Sequence, residues 1–332
     1  MSTKKRGGRQ RLIDLNPQLE QNFLEVLRDR TAGDPMRQEV KWTDLTRRKI
    51  CERLAERGTP AGRRVVKQLL KKHGYVKRKA QKTRTMGPRH PDRNAQFQNI
   101  ARLKQEYLQA ANPVISMDAK KKELLGNFYR EGKLYTREAI RVFDHDFPGV
   151  ASGAVFPHGL YDVGLNRGHI NLGTSHETSQ FACDSIERWW HKEGRKRHPH
   201  ATRLLLLCDG GGSNSARRYV FKEELQGLAQ RLGLEIRVAH YPPYCSKYNP
   251  IEHRLFPHVT RACQGVVFHT IQIVKSLMEK TSTRTGLQVT VDILDKVYDT
   301  GRKCAKGFKQ NMKILFDDFL PQWNYRAVPT VT

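Results

Sequence analysis

The chain has 332 residues, 38% of them hydrophobic, which allows at least one real core, suggests about two domains and excludes a small scaffold held only by disulfides or metal. Sixty Lys and Arg against 33 Asp and Glu leave a formal charge of +27; such an excess points to a polyanion, nucleic acid before an anionic membrane, through phosphate contacts and counterion release. The longest apolar run, Leu204 to Cys208, falls far short of the roughly 20 residues of a bilayer span, so no membrane partner is expected.

The charge is unevenly spread. Residues 1–112 hold 28 basic and 11 acidic residues, and residues 57–91 hold twelve Lys or Arg and no acid. Leu19, Phe23, Val26 and Leu27 recur at helical spacing and predict a helix over residues 17–30. A break at Gly33 and Pro35 precedes a second helix bearing Leu45, Ile50 and Leu54, capped by Thr43 or Asp44 and ended at Gly58. After a tight turn over 59–62, a third helix runs to about His73, with Val65, Val66, Leu69 and Leu70 inward and Arg63, Arg64, Lys67, Lys71 and Lys72 outward. Two helices joined by a short turn, the second strongly basic, form a helix-turn-helix pattern, so residues 1–75 are expected to be an all-α DNA-binding domain. Arg63, Arg64, Lys67 and Lys71 are its candidate DNA contacts. Residues 76–112 read as a basic linker, with Lys77, Arg78 and Lys79 on the phosphate backbone, and a connecting helix that Asp92 opens and that bears Phe97, Ile100, Leu103 and Tyr107.

From Pro113 the texture changes. Val114–Met117 is a buried-type strand ending at Asp118, and residues 159–163 and 169–173 form a hairpin around Asn166 and Gly168. A helix over 177–192, an apolar strand over 204–207 ending at Asp209, a helix over 216–232, a strand over 235–240 and a helix beginning at Asn249-Pro250 follow. This order predicts an α/β domain, a mixed sheet flanked by helices, over 113–265, with 266–332 as a helical extension packed on it. Residues 121–157 fit no clear pattern. The six cysteines show neither CxxC pairs nor zinc spacing, which predicts reduced thiols in a cytosolic compartment; no apolar stretch follows the basic residues 1–11 to make a signal peptide.

Two strands each end in an aspartate, and ligands collect outside the carboxyl ends of strands in open α/β sheets. Adjacent parallel strands would therefore bring Asp118 and Asp209 to one site, with Glu252 supplied by the following helix. Three hard oxygen donors suit Mg²⁺ or Mn²⁺, and two such ions about 3.5–4 Å apart would clamp the attacking and leaving oxygens of an in-line phosphoryl displacement. Each residue also has a purely structural reading: a strand end for Asp118, a turn for Asp209 before three glycines, and a capping box with Asn249 for Glu252. Gly210 to Gly212 fit neither dinucleotide nor P-loop spacing and suit a close approach of backbone or DNA phosphate. His253 reads as a packing residue before a DNA contact, and Asp144 and Asp146 follow no comparable strand.

The strings VISMDAKKKELLGNF, LLLLCDGGGSN and HYPPYCSKYNPIEHRLF resemble the first Asp, second Asp and terminal Glu blocks of insertion-sequence DDE transposases, in the mariner-like branch of the retroviral-integrase superfamily. The likeness is strongest to the Rhodopirellula-type family. It extends to the AGDP and WTDLT segments, HPDRNAQF, residues 186–190, and TSTRTGLQV through WNY. The resemblance implies an RNase H-like catalytic domain with Asp118, Asp209 and Glu252 as its metal-binding catalytic triad, 42 residues separating the last two. It also implies two Mg²⁺ or Mn²⁺ ions per site and terminal inverted repeats and target DNA as partners. At least a dimer would be needed to pair two ends, in a prokaryotic, nucleoid-associated setting. Lys247, beside the triad, joins the candidate DNA contacts. Tyr244-Cys245, Tyr248 and Glu177 depart from the family pattern, which has a Gly-Thr-like pair, Trp and Asp there. The residues also admit a sequence-specific DNA-binding protein with structural carboxylates, or a structure-specific nuclease of the same fold.

Overall fold

The computed structural model describes residues 12–28, 31–34, 37–78 and 90–330. The chain divides into two compact units, Met1–Arg84 and Thr85–Thr332.

In the first unit, α1 (Leu12–Leu15) and α2 (Pro17–Arg28) are followed by strands β1 (Thr31–Asp34) and β2 (Arg37–Thr43) and helices α3 (Arg47–Glu56) and α4 (Arg63–Lys72). Leu19, Phe23, Val26 and Leu27 of α2 meet Ile50 and Leu54 of α3 and Val66 and Leu69 of α4 in one small core, so the apolar periodicity translates directly into packing. Two details differ from expectation. The Gly33 break is an antiparallel pairing of β1 with β2, so the helical unit carries a hairpin; a four-residue β1 and a β2 with only Val40 and Trp42 apolar give no period to register. The cap of α3 is Thr46, whose side chain accepts from the Lys49 N–H, because it is the residue immediately before the helix and its hydroxyl reaches the third N–H of the first turn. Gly58 adopts a positive φ of 75°, which ends α3 without steric cost. Asn22, buried in this unit, donates to the Arg57 carbonyl and the Thr59 hydroxyl and locks α2 to the turn.

The second unit begins with α5 (Arg93–Gln109), then β3 (Val114–Ala119), β4 (Glu123–Leu125), β5 (Gly153–Asp162) and β6 (Arg167–Gly173). There follow α6 (Ser179–Trp189), which continues through a π turn into α7 (Arg195–Arg197), then β7 (Arg203–Asp209), α8 (Tyr219–Leu232) and β8 (Glu235–Tyr241). Last come α9 (Ile251–Arg254), α10 (Phe256–Ala262), α11 (Ile271–Glu279), β9 (Gln288–Leu294), α12 (Phe308–Asn311), β10 (Ile314–Phe316) and β11 (Asn324–Ala327). Among the described residues the strands form one nine-stranded mixed sheet in the order β10-β11-β8-β7-β3-β5-β6-β9, with β4 on β5. At its centre β3 runs parallel to β7 and β7 to β8, while β5 is antiparallel to both β3 and β6. This mixed sheet with helices on both faces is the RNase H-like arrangement. Leu204, Leu206 and Cys208 face α6 and α8, whereas Leu205 and Leu207 face α5; β7 is apolar on both sides because both are covered.

The expected helical extension over 266–332 is corrected. This segment supplies α11 and the short α12, but also β9, β10 and β11 to the two ends of the sheet. Val289, Val291 and Ile293 alternate onto the α9–α11 core, a period-two pattern that marks a strand. No described helix is long and apolar enough to cross a membrane, and all six cysteines are unpaired.

Candidate active site

Asp118 is the last residue but one of β3 and Asp209 the last of β7, two neighbouring parallel strands. Val114, Ile115 and Ser116 stand opposite Leu205, Leu206 and Leu207; Asp118 and Asp209 lie two residues beyond the last of these pairs, at the carboxyl edge of the sheet. Glu252 sits in the first turn of α9, which is seated by Ile251, Leu255, Phe256 and Val259 in the core shared with β5 and β6. Gly159, opposite Asp118 in β5, makes that seat possible: a Cβ there would lie 2.6 Å from Phe256 and 2.8 Å from Ile251.

A buried polar clamp ties the helix to the strand. Ser116 Oγ donates to Asn249 Oδ1 and accepts from the Ile251 N–H at 2.9 Å, while Asn249 Nδ2 donates to the Met117 carbonyl at 3.2 Å and lies 3.5 Å from Asp209 Oδ1. This decides two of the structural alternatives. Asn249 does not cap α9 with its side chain, so no capping box occupies Glu252. The carboxyl of Asp209 faces Asn249 and Glu252 and not the glycine turn.

All three carboxyls are half-buried. Burial first, and then the charges of Asp209 and Glu252, push the Asp118 carboxyl up to about 8 against the pull of the Ala119 N–H, which donates to its Oδ1 at 2.8 Å. A hydrogen bond with Glu252 adds to the rise. Burial and then Glu252 raise Asp209 to about 6, opposed by Asn249. The groups acting most strongly on the two aspartates are carboxyls, a backbone N–H and an amide. Clustered acids whose charges raise one another, all hard oxygen donors, suit Mg²⁺ or Mn²⁺. They are not drawn into a finished cage: among the described residues no three His, Cys, Asp or Glu side chains are gathered for an ion as they stand. Ligation would therefore require the carboxyls to draw closer, and the residues fit the group in the kind of donor they offer.

Beside Glu252 opens a cleft of about 590 Å³, whose lining includes Lys120, Lys121, Glu252, Phe256 and Arg261. Lys120 is paired with Glu123. Lys121 and Arg261 are exposed and have no ion pair among the described residues. Sequence reasoning missed them; for Lys121 the Lys120–Lys122 run, one residue past Asp118, was the available signal. It also missed Ser116 and Asn249 as a clamp, which nothing in local sequence distinguishes from a strand residue and a cap.

The other candidates fall in separate places. Arg63, Arg64, Lys67 and Lys71 lie exposed along α4 without ion pairs among the described residues, whereas Lys72 bonds Glu20 at 2.6 Å. Lys77 and Arg78 are exposed beyond α4; Lys79 lies outside the described residues. Lys247 is exposed in the turn before Asn249, its Nζ 5.1 Å over the Tyr248 ring. His253 is exposed and not a packing residue, because the third position of so short a helix points away from the core that Ile251 and Leu255 enter. Asp144 and Asp146 lie exposed in the loop after β4. Of the residues departing from the family pattern, Tyr244 is exposed at a positive φ of 59°, Cys245 is buried, and Glu177 accepts from Ser213 at 3.2 Å.

Comparison with curated proteins finds no match. Among solved structures, the Mos1 transposase paired-end complex with left transposon end is similar at 13% identity and a TM-score of 0.45, over 84% of this chain and 74% of that one. The Mos1 Strand Transfer Complex is similar at 12% identity and a TM-score of 0.44, over 84% and 73%. A family model described as the Rhodopirellula transposase DDE domain matches residues 22–329. With that match spanning most of the chain, the protein belongs to the Rhodopirellula transposase DDE domain family.

Proposed function

We propose that this transposase binds the terminal inverted repeats of its insertion sequence and catalyses metal-dependent DNA cleavage and strand transfer. The observation that carries the reading is the meeting of Asp118, Asp209 and Glu252, from three elements, at the carboxyl edge of β3 and β7. Asp118, Asp209 and Glu252 would hold two Mg²⁺ or Mn²⁺ ions. When bound, these would supply Lewis-acid activation of the attacking hydroxyl or water and charge stabilisation at the phosphorus.

The chain's own residues do the rest. The Ser116–Asn249 clamp orients Glu252 and Asp209 before substrate arrives, and such preorganisation lowers the cost of reaching the reactive geometry. Lys121 and Arg261, in the cleft beside Glu252, hold the phosphate backbone of the strand being cut. Arg63, Arg64, Lys67 and Lys71 read or grip the element end from the basic helix, with Lys77, Arg78 and Lys79 on the backbone beyond it. Lys247 contacts DNA near the triad. On this reading residues 1–75 form the DNA-binding domain, 76–112 the linker and connecting helix, and 113–265 the catalytic domain completed by strands from 266–332. Two ends are held together by at least a dimer, acting on DNA in the cytoplasm of a prokaryote.

Asp209→Asn tests the reading. Cleavage of DNA carrying the element end, with Mg²⁺ or Mn²⁺, should be lost while binding to that end is kept. A variant that still cuts would sink the triad, and tight but inert binding by the unmodified protein would favour a DNA-binding protein with structural carboxylates.

A further inference from the structure

Asp209 ends a strand and is followed by three glycines, the least self-supporting backbone a catalytic residue can have. What steadies it comes from the far end of the chain. His240, fully buried in β8, places Nδ1 3.1 Å from the Asp209 carbonyl oxygen and 3.5 Å from the Cys208 thiol. Its Nε2 lies 2.9 Å from the Tyr325 hydroxyl. A carbonyl oxygen only accepts, so Nδ1 carries the ring proton, and Nε2 is left to accept from Tyr325. The result is a directed chain, Tyr325 O–H to His240 Nε2 and His240 Nδ1–H to Asp209.

A second contact reaches the same turn. Two residues before Tyr325, the Trp323 carbonyl accepts from the His240 N–H at 3.0 Å. The Trp323 indole leaves so little room at Gly210 that a Cβ there would lie 3.1 Å from its Cζ3. Trp323 and Tyr325 are both buried. Tyr325 is held in turn by β11 pairing, opposite Val238 of β8, and by the Lys222 ammonium 4.7 Å over its ring, a cation–π contact.

We propose that Tyr325, acting through His240, is a positioning residue that fixes the main chain of Asp209 and so aims its carboxylate, with Trp323 seated on Gly210 as the second support. Outer partners of this type orient metal-binding side chains, and their loss typically costs 10–100-fold in metal affinity or activity. The proposal rests on the reading of Asp118, Asp209 and Glu252 as metal ligands.

The test is Mn²⁺ affinity of the full chain by titration calorimetry, alongside its thermal unfolding. Tyr325→Phe removes one hydroxyl and keeps the ring, and should weaken Mn²⁺ binding about 10-fold. Tyr298→Phe is the control: it deletes another buried phenol hydroxyl, 3.0 Å from Asp184, and should leave Mn²⁺ binding unchanged. In a His240→Asn background, whose amide donates to the Asp209 carbonyl without help from Tyr325, Tyr325→Phe should add no further loss. Equal Mn²⁺ affinity in Tyr325→Phe and the unmodified protein, or an equal loss in Tyr298→Phe, overturns the proposal while leaving the metal site standing. An unmodified protein that takes up no Mn²⁺ overturns both.

Discussion

Ser116 and Asn249, 133 positions apart in sequence, share a buried hydrogen bond that joins the strand of Asp118 to the turn before Glu252. Asn249 is fully buried, and its amide answers Ser116, the Met117 carbonyl and Asp209 at once. Truncation to alanine strands two of those groups in the interior. Asn249→Ala should cost about 1–3 kcal/mol of stability, read by urea unfolding, and should depress metal-dependent cleavage more than binding to DNA. Unchanged stability would show that the clamp carries no weight.

Gly159 is the floor on which α9 and α10 rest. A methyl group there meets Ile251 and Phe256 inside van der Waals distance, and both belong to the segment that carries Glu252. Gly159→Ala should destabilise the protein by about 1–3 kcal/mol through overpacking. The same variant should cut more slowly, since Glu252 is displaced with its helix. Thermal unfolding and a cleavage time course measure the two effects separately.

Acidity at the site sets a pH signature. Asp118 is raised to about 8 and Asp209 to about 6, so the folded state holds these protons more tightly than the unfolded chain. Their contribution to stability is therefore complete below about pH 4 and lost as pH rises through the folded values. Without divalent metal, Asp118→Asn should be more stable than the unmodified protein at pH 8, by on the order of 1–2 kcal/mol, and the two should converge near pH 4. Mg²⁺ should narrow the gap from the other side by stabilising only the protein that keeps its aspartate. Parallel melting-temperature profiles for the two proteins would contradict this.

On α4, substitution separates gripping from reading. Replacing a phosphate-contacting residue among Arg63, Arg64, Lys67 and Lys71 by alanine should weaken binding to all sequences alike and reduce the salt slope by about 1. A base-contacting member should instead lose about 1–3 kcal/mol on the element end and little on unrelated DNA. Binding isotherms on both DNAs across a salt series sort the four residues.

Lys121 and Arg261 border the cleft next to Glu252. Charge reversal of both should slow cleavage and strand transfer at least 10-fold with end binding retained, because the basic helix remains intact. Loss of end binding to the same extent would place them in the primary DNA interface.

Much of the catalytic unit was legible because β3 and β7 are apolar runs that stop at an aspartate, and residues 163–166, with Asn166 at positive φ, make the turn of the hairpin the sequence suggested. Glu252 was legible for its neighbours Asn249 and Pro250, although the local rule reads Asn249 as a cap. Tertiary competition overrides that rule: Ser116 takes the amide and itself supplies the acceptor that the Ile251 N–H needs. β10 and β11 escaped because segments of three and four residues carry no period, and β11 pairs with residues of β8 that lie 85–91 positions earlier. The stretch from Lys121 to Pro157 resisted for a related reason. Before β5 begins at Gly153 it holds the three-residue β4 and a single 3-10 turn at Pro148–Val150, and much of the rest follows no repeating pattern.

Because β11 is the strand that covers β8, the order of the genetic message and the order of assembly diverge. All three acidic residues have been translated by residue 252, yet β8 keeps an unpaired edge until residues 324–327 arrive, and a bare edge invites pairing with other chains. A copy of the gene interrupted anywhere between those points would still display the full acidic signature. Its product would leave that edge of β8 bare, so the three acidic residues alone do not mark a chain able to complete this sheet.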